Sequence, residues 1–354
     1  GEKGILDRIV GGDPVVKAVD GVSLDIYEDD VVALVGESGC GKTTLGKTMI
    51  GLQQPTEGSV RYRGQDIWKA RAEQGDIPYS EIRKSLQMVH QDAGNSLDPN
   101  RTVFENLSPA LKKWRPEYNL VQRRELIQQM LETVGLTPPD DYASRYPHQL
   151  SGGEAQRTVV VRAMLLEPDL ILADEAVSAL DVSLRVNMMD LLLDLQDMFS
   201  TSFVFISHNM SNARYLAGQS DGRIAVMYLG RIVEIGPPDE IINNPQHPYT
   251  KSLIWATSGL SEIDEPITHP PVRKLDIPDP SNPPSGCRFH TRCIEAHEYC
   301  TENRPELANT TDDARHEAAC YYAMDHEDYW ASPELPDVDQ DETAPPSTES
   351  AGAD

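Results

Sequence analysis

The sequence predicts an α/β fold, a mainly parallel sheet flanked by helices, from three observations. The runs Val31-Val32-Ala33-Leu34-Val35, Leu170-Ile171-Leu172-Ala173 and Phe203-Val204-Phe205-Ile206 are short, continuously apolar and without alternation. Such runs suit parallel strands covered by helices on both faces. Each run ends in polar residues: a glycine-rich segment from Gly36, the pair Asp174-Glu175, and Ser207-His208. In sheets of this kind ligands sit at the carboxyl ends of the strands. The glycine-rich segment is followed by a helical pattern over residues 44–50, so it joins a strand to a helix.

Gly36-Glu37-Ser38-Gly39-Cys40-Gly41-Lys42-Thr43 fits G-x-x-x-x-G-K-[ST]. In that loop backbone N–H groups ring phosphates, Lys42 reaches the outer phosphates and the Thr43 hydroxyl ligates Mg²⁺. Gly36, Ser38, Gly39, Cys40, Gly41, Lys42, Thr43 and Thr44 are therefore the expected nucleotide contacts. Two adjacent carboxylates beside a triphosphate repel it unless a cation intervenes. Asp174 is placed to hold Mg²⁺, leaving Glu175 to polarise the attacking water. An Asp-Glu pair at a strand end is otherwise a solvated surface feature; the neighbouring phosphate loop tips the balance towards chemistry.

Ahead of the Asp174 strand lies Leu150-Ser151-Gly152-Gly153-Glu154-Ala155-Gln156-Arg157. Ser151 is a plausible N-cap and Glu154, three residues on, completes a capping box. The glycines leave N–H groups at the positive end of a helix open to an anion. Taken alone, this is a well-capped helix. In order along the chain come the phosphate loop, Gln91 after an apolar strand, Leu-Ser-Gly-Gly-Glu, Asp174-Glu175, Ser178-Ala179-Leu180-Asp181 and His208. Over roughly residues 15–240 this resembles the nucleotide-binding subunit of an ABC transporter.

The resemblance implies an ABC-type ATPase core with an N-terminal antiparallel β subdomain and a helical subdomain at about 92–165. It implies a head-to-tail dimer in which Ser151, Gly152, Gly153 and Glu154 of one subunit cap ATP held by the other. Gln91 would touch Mg²⁺ and the attacking water and relay to membrane subunits. Glu175 would act as base, His208 would steady the γ-phosphate, and Asp181 would couple the two sites. Mg²⁺ would be held through Thr43, Gln91 and Asp174. Ala176 replaces a usual proline and Asn209-Met210 a usual Asp-Leu, and neither change removes a catalytic group. Relatives also stack an aromatic on adenine from a strand N-terminal to Val15–Val19. No aromatic precedes Tyr27, and the chain opens at Gly1 as if that strand were trimmed, with Ile9 or Val10 as weak substitutes.

At 354 residues the length suggests two domains. No apolar stretch reaches the roughly 18 residues that span a bilayer and no secretory signal is visible, so membrane association is expected through partners. The formal charge of −26 and pI near 4.6 are extreme. Residues 325–354 hold ten acids and no Lys or Arg, but the remainder still carries −16. Unscreened, that self-repulsion opposes a compact fold. The pattern suggests a salt-accumulating cytosol, haloarchaeal in type. The tail from 325 is expected to be disordered.

Helical patterns cover 105–114 and 120–134, the second closed by Gly135 and Pro138-Pro139, and Asp98-Pro99-Asn100 reads as a turn. Residues 261–286 are rich in proline and acids and read as a linker or wrapped loop. Cys287, Cys293, Cys300 and Cys320 follow, spaced C-x5-C-x6-C-x19-C. In a reducing cytosol disulfides are disfavoured, and four thiolates suit Zn²⁺ or a [4Fe–4S] cluster. Four free buried cysteines is the plainer alternative, and His290 and His297 leave mixed ligation open. Cys40 reads as a small filler of the phosphate loop.

Gln91-Asp92-x-x-x-Ser96-Leu97-Asp98-Pro99, Pro245-x-His247-Pro248-Tyr249-Thr250 and Pro284-Ser285-Gly286-Cys287-Arg288-Phe289-His290-x-Arg292-Cys293 are similar to segments of oligopeptide and dipeptide ABC importers. That resemblance implies an importer-type extension over 241–324, stapled by a metal site because it lacks a core of its own. It tilts the metal towards iron–sulfur. It further implies an ATPase on the cytoplasmic face of the membrane. Its partners would be a second cassette (a copy or a paralogue), two permease subunits and an extracytoplasmic solute-binding protein. The cargo would be a peptide, with oligosaccharides or nickel as alternatives. A soluble ABC ATPase acting on DNA or ribosomes is disfavoured: there is one cassette, no long coiled coil and no basic groove, so no nucleic-acid partner is expected.

Overall fold

The computed structural model describes residues 16–257 and 271–336. Its centre is one sheet of eight strands: β1 Val31–Val35, β4 Leu86–Val89, β5 Leu170–Asp174, β6 Ser202–Ser207, β7 Arg223–Tyr228, β8 Arg231–Gly236, β9 Ala308–Asn309 and β10 Glu317–Ala318. The spatial order is β4-β5-β6-β1-β7-β8-β10-β9. Strands β4, β5, β6, β1 and β7 run parallel, and β8, β10 and β9 continue antiparallel. The apolar runs form the centre because each strand is covered on both faces. β1 is buried at all five positions and β6 at all six.

Helix Lys42–Met49 covers one face, with Leu45 packing among Leu34, Leu172 and Ile206. The other face carries helices Gly152–Met164 and Val182–Phe199, joined to the helical region between β4 and β5 through Leu107, Leu131, Val160 and Leu192. Within that region Thr102 caps helix Val103–Trp114 with a capping box, and helix Leu120–Thr133 ends at Gly135, at φ 73°. Positive φ costs glycine little, and Leu136 N–H closes back on Leu131 O at 2.8 Å. Of the expected N-terminal antiparallel β subdomain, the described residues contain only the short hairpin β2 Arg61–Tyr62 and β3 Gln65–Asp66.

One expectation about the C-terminal part is corrected, the disorder from 325. The extension, expected to have no core of its own, packs into one that it shares with the cassette. Phe289, Cys293 and Ala296 are buried with Tyr228, Ile241 and Tyr249 in one cluster. Phe289 meets Tyr228 edge-on at 5.2 Å and Tyr249 at 5.4 Å. β10 pairs with β8 across the boundary expected at residue 240 and extends the same sheet. The chain is not disordered from 325. Helix Glu327–Ala331 packs Tyr329 at 1 % exposure, its hydroxyl donating to Glu295 O, and Glu334 bridges to His297. The acids of that stretch are surface-facing, as is Trp330, while Tyr329 is not. Most of the acidic tail, 337–354, and the proline-rich stretch 258–270 lie outside the described residues.

Glu234 fixes the junction. Its carboxylate is fully buried and accepts from Gln246 N–H, His247 N–H and His316 Nε2 at 2.7, 2.9 and 2.8 Å. Burial disfavours the charged His316 ring, but the hydrogen bond and charge of Glu234, helped by Glu240, outweigh it and hold its pKa above the usual value. The stabilisation is thus complete below the unfolded histidine value and is lost as pH rises through the raised native one. Chemical denaturation between pH 6 and 9 should therefore show stability falling across this window. His316→Gln should flatten that slope.

Candidate functional site

Register brings three strand ends to one edge. Val35 lies opposite Ser207, and Asp174 lies opposite Ile206. The residues that follow, Gly36, Glu175 and His208, therefore emerge side by side. The phosphate loop is squeezed where it turns. Gly36 has φ 156° and a Cβ there would stand 2.1 Å from Met227 O; Gly41 has φ 106° and a Cβ would meet Ala18 O at 1.9 Å. No other residue fits either position. Lys42 is 6 % exposed, and its Nζ donates to Gly36 O at 2.8 Å and Glu37 O at 3.0 Å. Cys40 is buried behind the loop, and burial pushes its thiol up.

Thr43 Oγ1 donates to Asp174 Oδ1 at 3.1 Å, so the two oxygens stand where one divalent cation could take both. Burial raises the Asp174 carboxyl above its usual range, against the Thr43 hydrogen bond and the Lys47 charge. A bound cation would reverse that shift by favouring the charged form. Glu175 has φ 50°, a conformation uncommon outside glycine, held by its N–H on Ile206 O at 3.0 Å. Its Oε1 lies 3.2 Å from His208 Nδ1, and the ring is more than half exposed. A carboxylate oriented by an imidazole beside a phosphate cradle can accept a proton from water.

Of the other expected residues, Gln91 follows the strand beside β5, where Val89 lies opposite Ala173. Gln91 is exposed two residues past β4, and Asp181 is exposed at the start of helix Val182–Phe199. Ser151 and Glu154 form the expected capping box: Ser151 N–H donates to Glu154 Oε2 at 2.7 Å and Glu154 N–H to Ser151 Oγ at 3.4 Å. Tyr142 hydroxyl donates to Glu154 at 2.5 Å and helps hold that carboxyl below its usual range. Among the described residues no hydrogen bond joins this turn to the phosphate loop. The residues considered for adenine, Ile9 and Val10, lie outside the described residues.

Cys287, Cys293, Cys300 and Cys320 line one small cavity together with Phe289, Tyr321 and Tyr329. None of the four is paired in a disulfide among the described residues. Burial raises each, Cys287 to about 12 and Cys320 to about 11, with neighbouring cysteines adding to the shift at both. His247 is fully buried on the same cavity. Its Nδ1 accepts from Tyr249 N–H at 3.0 Å, and its Nε2 has no hydrogen-bond partner among the described residues. Among the described residues, no group of three or more His, Cys, Asp or Glu side chains stands at metal-binding spacing.

Sequence reasoning missed how the extension touches the phosphate loop. Arg292 Nη1 and Nη2 pair with Glu37 Oε2 and Oε1 at 3.0 and 3.1 Å, and Tyr249 hydroxyl accepts Glu37 N–H at 2.9 Å. Arg288 and Arg304 converge on Asp20 at 2.5 and 3.3 Å. One signal was available: an acid inside a phosphate cradle calls for a cation nearby.

A profile described as "ABC transporter" matches residues 19–178, and one described as "Oligopeptide/dipeptide transporter, C-terminal region" matches residues 233–300. The chain is 40 % identical over 318 residues to oligopeptide transport ATP-binding protein AppF of Bacillus subtilis, covering 90 % of this chain and 92 % of that one. It belongs to the oligopeptide/dipeptide family of ABC-transporter ATP-binding subunits. The dipeptide transport ATP-binding protein DppF of Haemophilus influenzae is 42 % identical over 299 residues, covering 84 % and 87 %. The dimeric structure of MJ0796, a bacterial ABC transporter cassette, aligns with TM-score 0.53 at 29 % identity, over 62 % of this chain and 90 % of that one. This subunit is thus an ATPase of the transport-coupled class. None of its described helices is long and apolar enough to cross a membrane.

The capping box gives a direct expectation for this ABC subunit. Ser151→Ala should cost about 1 kcal/mol of stability in urea denaturation, as for other lost helix caps, with helix content otherwise unchanged.

Proposed function

We propose that this subunit hydrolyses ATP to drive import of peptides through a membrane permease. The observation that carries the reading is the meeting of the phosphate loop, Thr43–Asp174 and Glu175–His208 at one sheet edge. Lys42 and the loop N–H groups would hold the triphosphate, and Thr43, Asp174 and Gln91 the Mg²⁺. Glu175 would take a proton from the attacking water, with His208 holding Glu175 and the γ-phosphate in line. The signature turn at 151–154 is solvent-facing and Val182, beside Asp181, is 74 % exposed. Both features support closure by a second cassette, self or paralogue, with each signature capping the other's ATP. Peptide as cargo rests on the relatives' names: those proteins are called oligopeptide, dipeptide and di/tripeptide transport ATP-binding proteins. Two permease subunits and an extracytoplasmic binding protein complete the machine, with this subunit on the cytoplasmic face.

Glu175→Gln should retain MgATP binding while steady-state hydrolysis falls by roughly 100-fold or more, the scale of a lost general base. Near-normal turnover would remove Glu175 from the role of base.

The four-cysteine cavity is proposed to hold a soft metal, iron–sulfur or zinc. Four cysteine side chains lining one cavity, with His247 on the same wall, support the reading, since soft thiolate ligands select those metals. Such a group would supply cross-linking of the extension. The acidity of the whole chain supports a salt-rich cytosol, so the measurement belongs in molar KCl under anaerobic conditions. Elemental analysis of the purified protein should find iron with sulfide, or zinc, and Cys293→Ser should lose it. Metal-free wild type would return the cysteines to buried thiols.

A further inference from the structure

Glu37 is the first variable residue of the phosphate loop, and all of its polar groups are taken. Its carbonyl accepts from Lys42 Nζ, its N–H is on the Tyr249 hydroxyl, and its carboxylate is forked onto Arg292. Two of those three partners lie beyond β8, outside the nucleotide-binding core. Arg292 is itself held on every side. It is 6 % exposed, its guanidinium lies 5.5 Å from the Phe289 ring and 5.8 Å from the Tyr228 ring, and its Nε donates to Lys274 O at 3.3 Å. Its neighbour in the chain is Cys293, a wall of the four-cysteine cavity. Tyr249 is fully buried against the same Phe289.

We infer that Arg292, seconded by Tyr249, is a positioning residue of the nucleotide site, and that through it ATP in the phosphate loop is linked to the packing of the cysteine cavity. A bidentate guanidinium–carboxylate pair fixes direction as well as distance. Here it fixes the residue whose carbonyl sets where Lys42 rests. It also neutralises a carboxylate that would otherwise face an incoming triphosphate. Linkage is reciprocal: whatever ATP does to Glu37 is felt at Cys293, and whatever moves the 287–293 turn is felt by ATP. The inference needs only that the loop binds nucleotide, and it holds whether or not the cavity carries a metal.

The test uses the full chain and two readouts. The first is MgATP affinity, by displacement of a fluorescent ATP analogue, for wild type, Arg292→Gln, Glu37→Gln, the double variant and Tyr249→Phe. Arg292→Gln should weaken binding about 10-fold, and the double variant should be no weaker than Arg292→Gln alone, since both remove one shared interaction. Tyr249→Phe, which keeps the ring and removes only the acceptor, should weaken binding about 3-fold, as for one neutral hydrogen bond. The second readout is the alkylation rate of Cys293, resolved from Cys40 by peptide mass spectrometry. MgATP should slow it in wild type and leave it unchanged in Arg292→Gln. Should Arg292→Gln release the extension outright, seen as fast alkylation of all four cysteines, Tyr249→Phe decides alone. Unchanged affinity in Tyr249→Phe and Arg292→Gln, additive effects in the double variant, or, where Cys293 reacts as an unligated thiol, no effect of MgATP on its rate would each overturn the inference. Wild type that binds no MgATP would instead overturn the nucleotide reading itself.

Discussion

Parallel pairing of β1 with β6 on one side and β7 on the other is the constraint on which the rest of the molecule depends. β1 has no exposed position, so its register is set by two neighbours at once. A slip of one residue would turn every side chain to the opposite face and open both cores. Because the register is fixed, the residues after Val35, Asp174 and Ser207 arrive at the same height, and the glycine loop, the Thr43–Asp174 contact and the Glu175–His208 pair gather at one sheet edge.

The loop at the end of β1 is then held from outside as well as from within. Met227 O and Ala18 O crowd Gly36 and Gly41 so closely that only glycine passes, and Gly230 N–H donates to Cys40 O at 2.8 Å. A cradle built against backbone in this way cannot relax when empty, so little ordering is left to be done when a ligand arrives. On the far side, Arg288 and Arg304 on Asp20 and Arg292 on Glu37 tie the extension to the same few residues. The extension thus closes the sheet with β10 and braces the nucleotide edge with arginines, two tasks served by one packed unit around Phe289.

The extension is also where expectation and structure part. A chain rich in acids and proline reads as coreless, yet Phe289, Tyr329 and Ala296 are buried, because a few aromatics spaced among polar residues suffice when a neighbouring domain supplies the other wall. Likewise the acids at 325–336 suggested disorder, while Tyr329 and its hydroxyl bond to Glu295 anchor a helical turn. Composition averages over residues, and burial is decided one side chain at a time.

The parallel sheet, the phosphate loop, the capped signature turn and the helices around 103–133 are legible along the chain, because each is written in local order: unbroken apolar runs, glycines at fixed offsets, a serine three residues before a glutamate. The sequence also named Asp174, Glu175 and His208 as a set, since all three stand at strand ends. That Arg292 meets Glu37, and that Glu234 is buried between two histidines, emerges from the packing of distant segments. Arg292 and Glu37 lie 255 residues apart in the chain. Contacts of that kind depend on how two surfaces pack, and no periodicity or spacing along the chain encodes them.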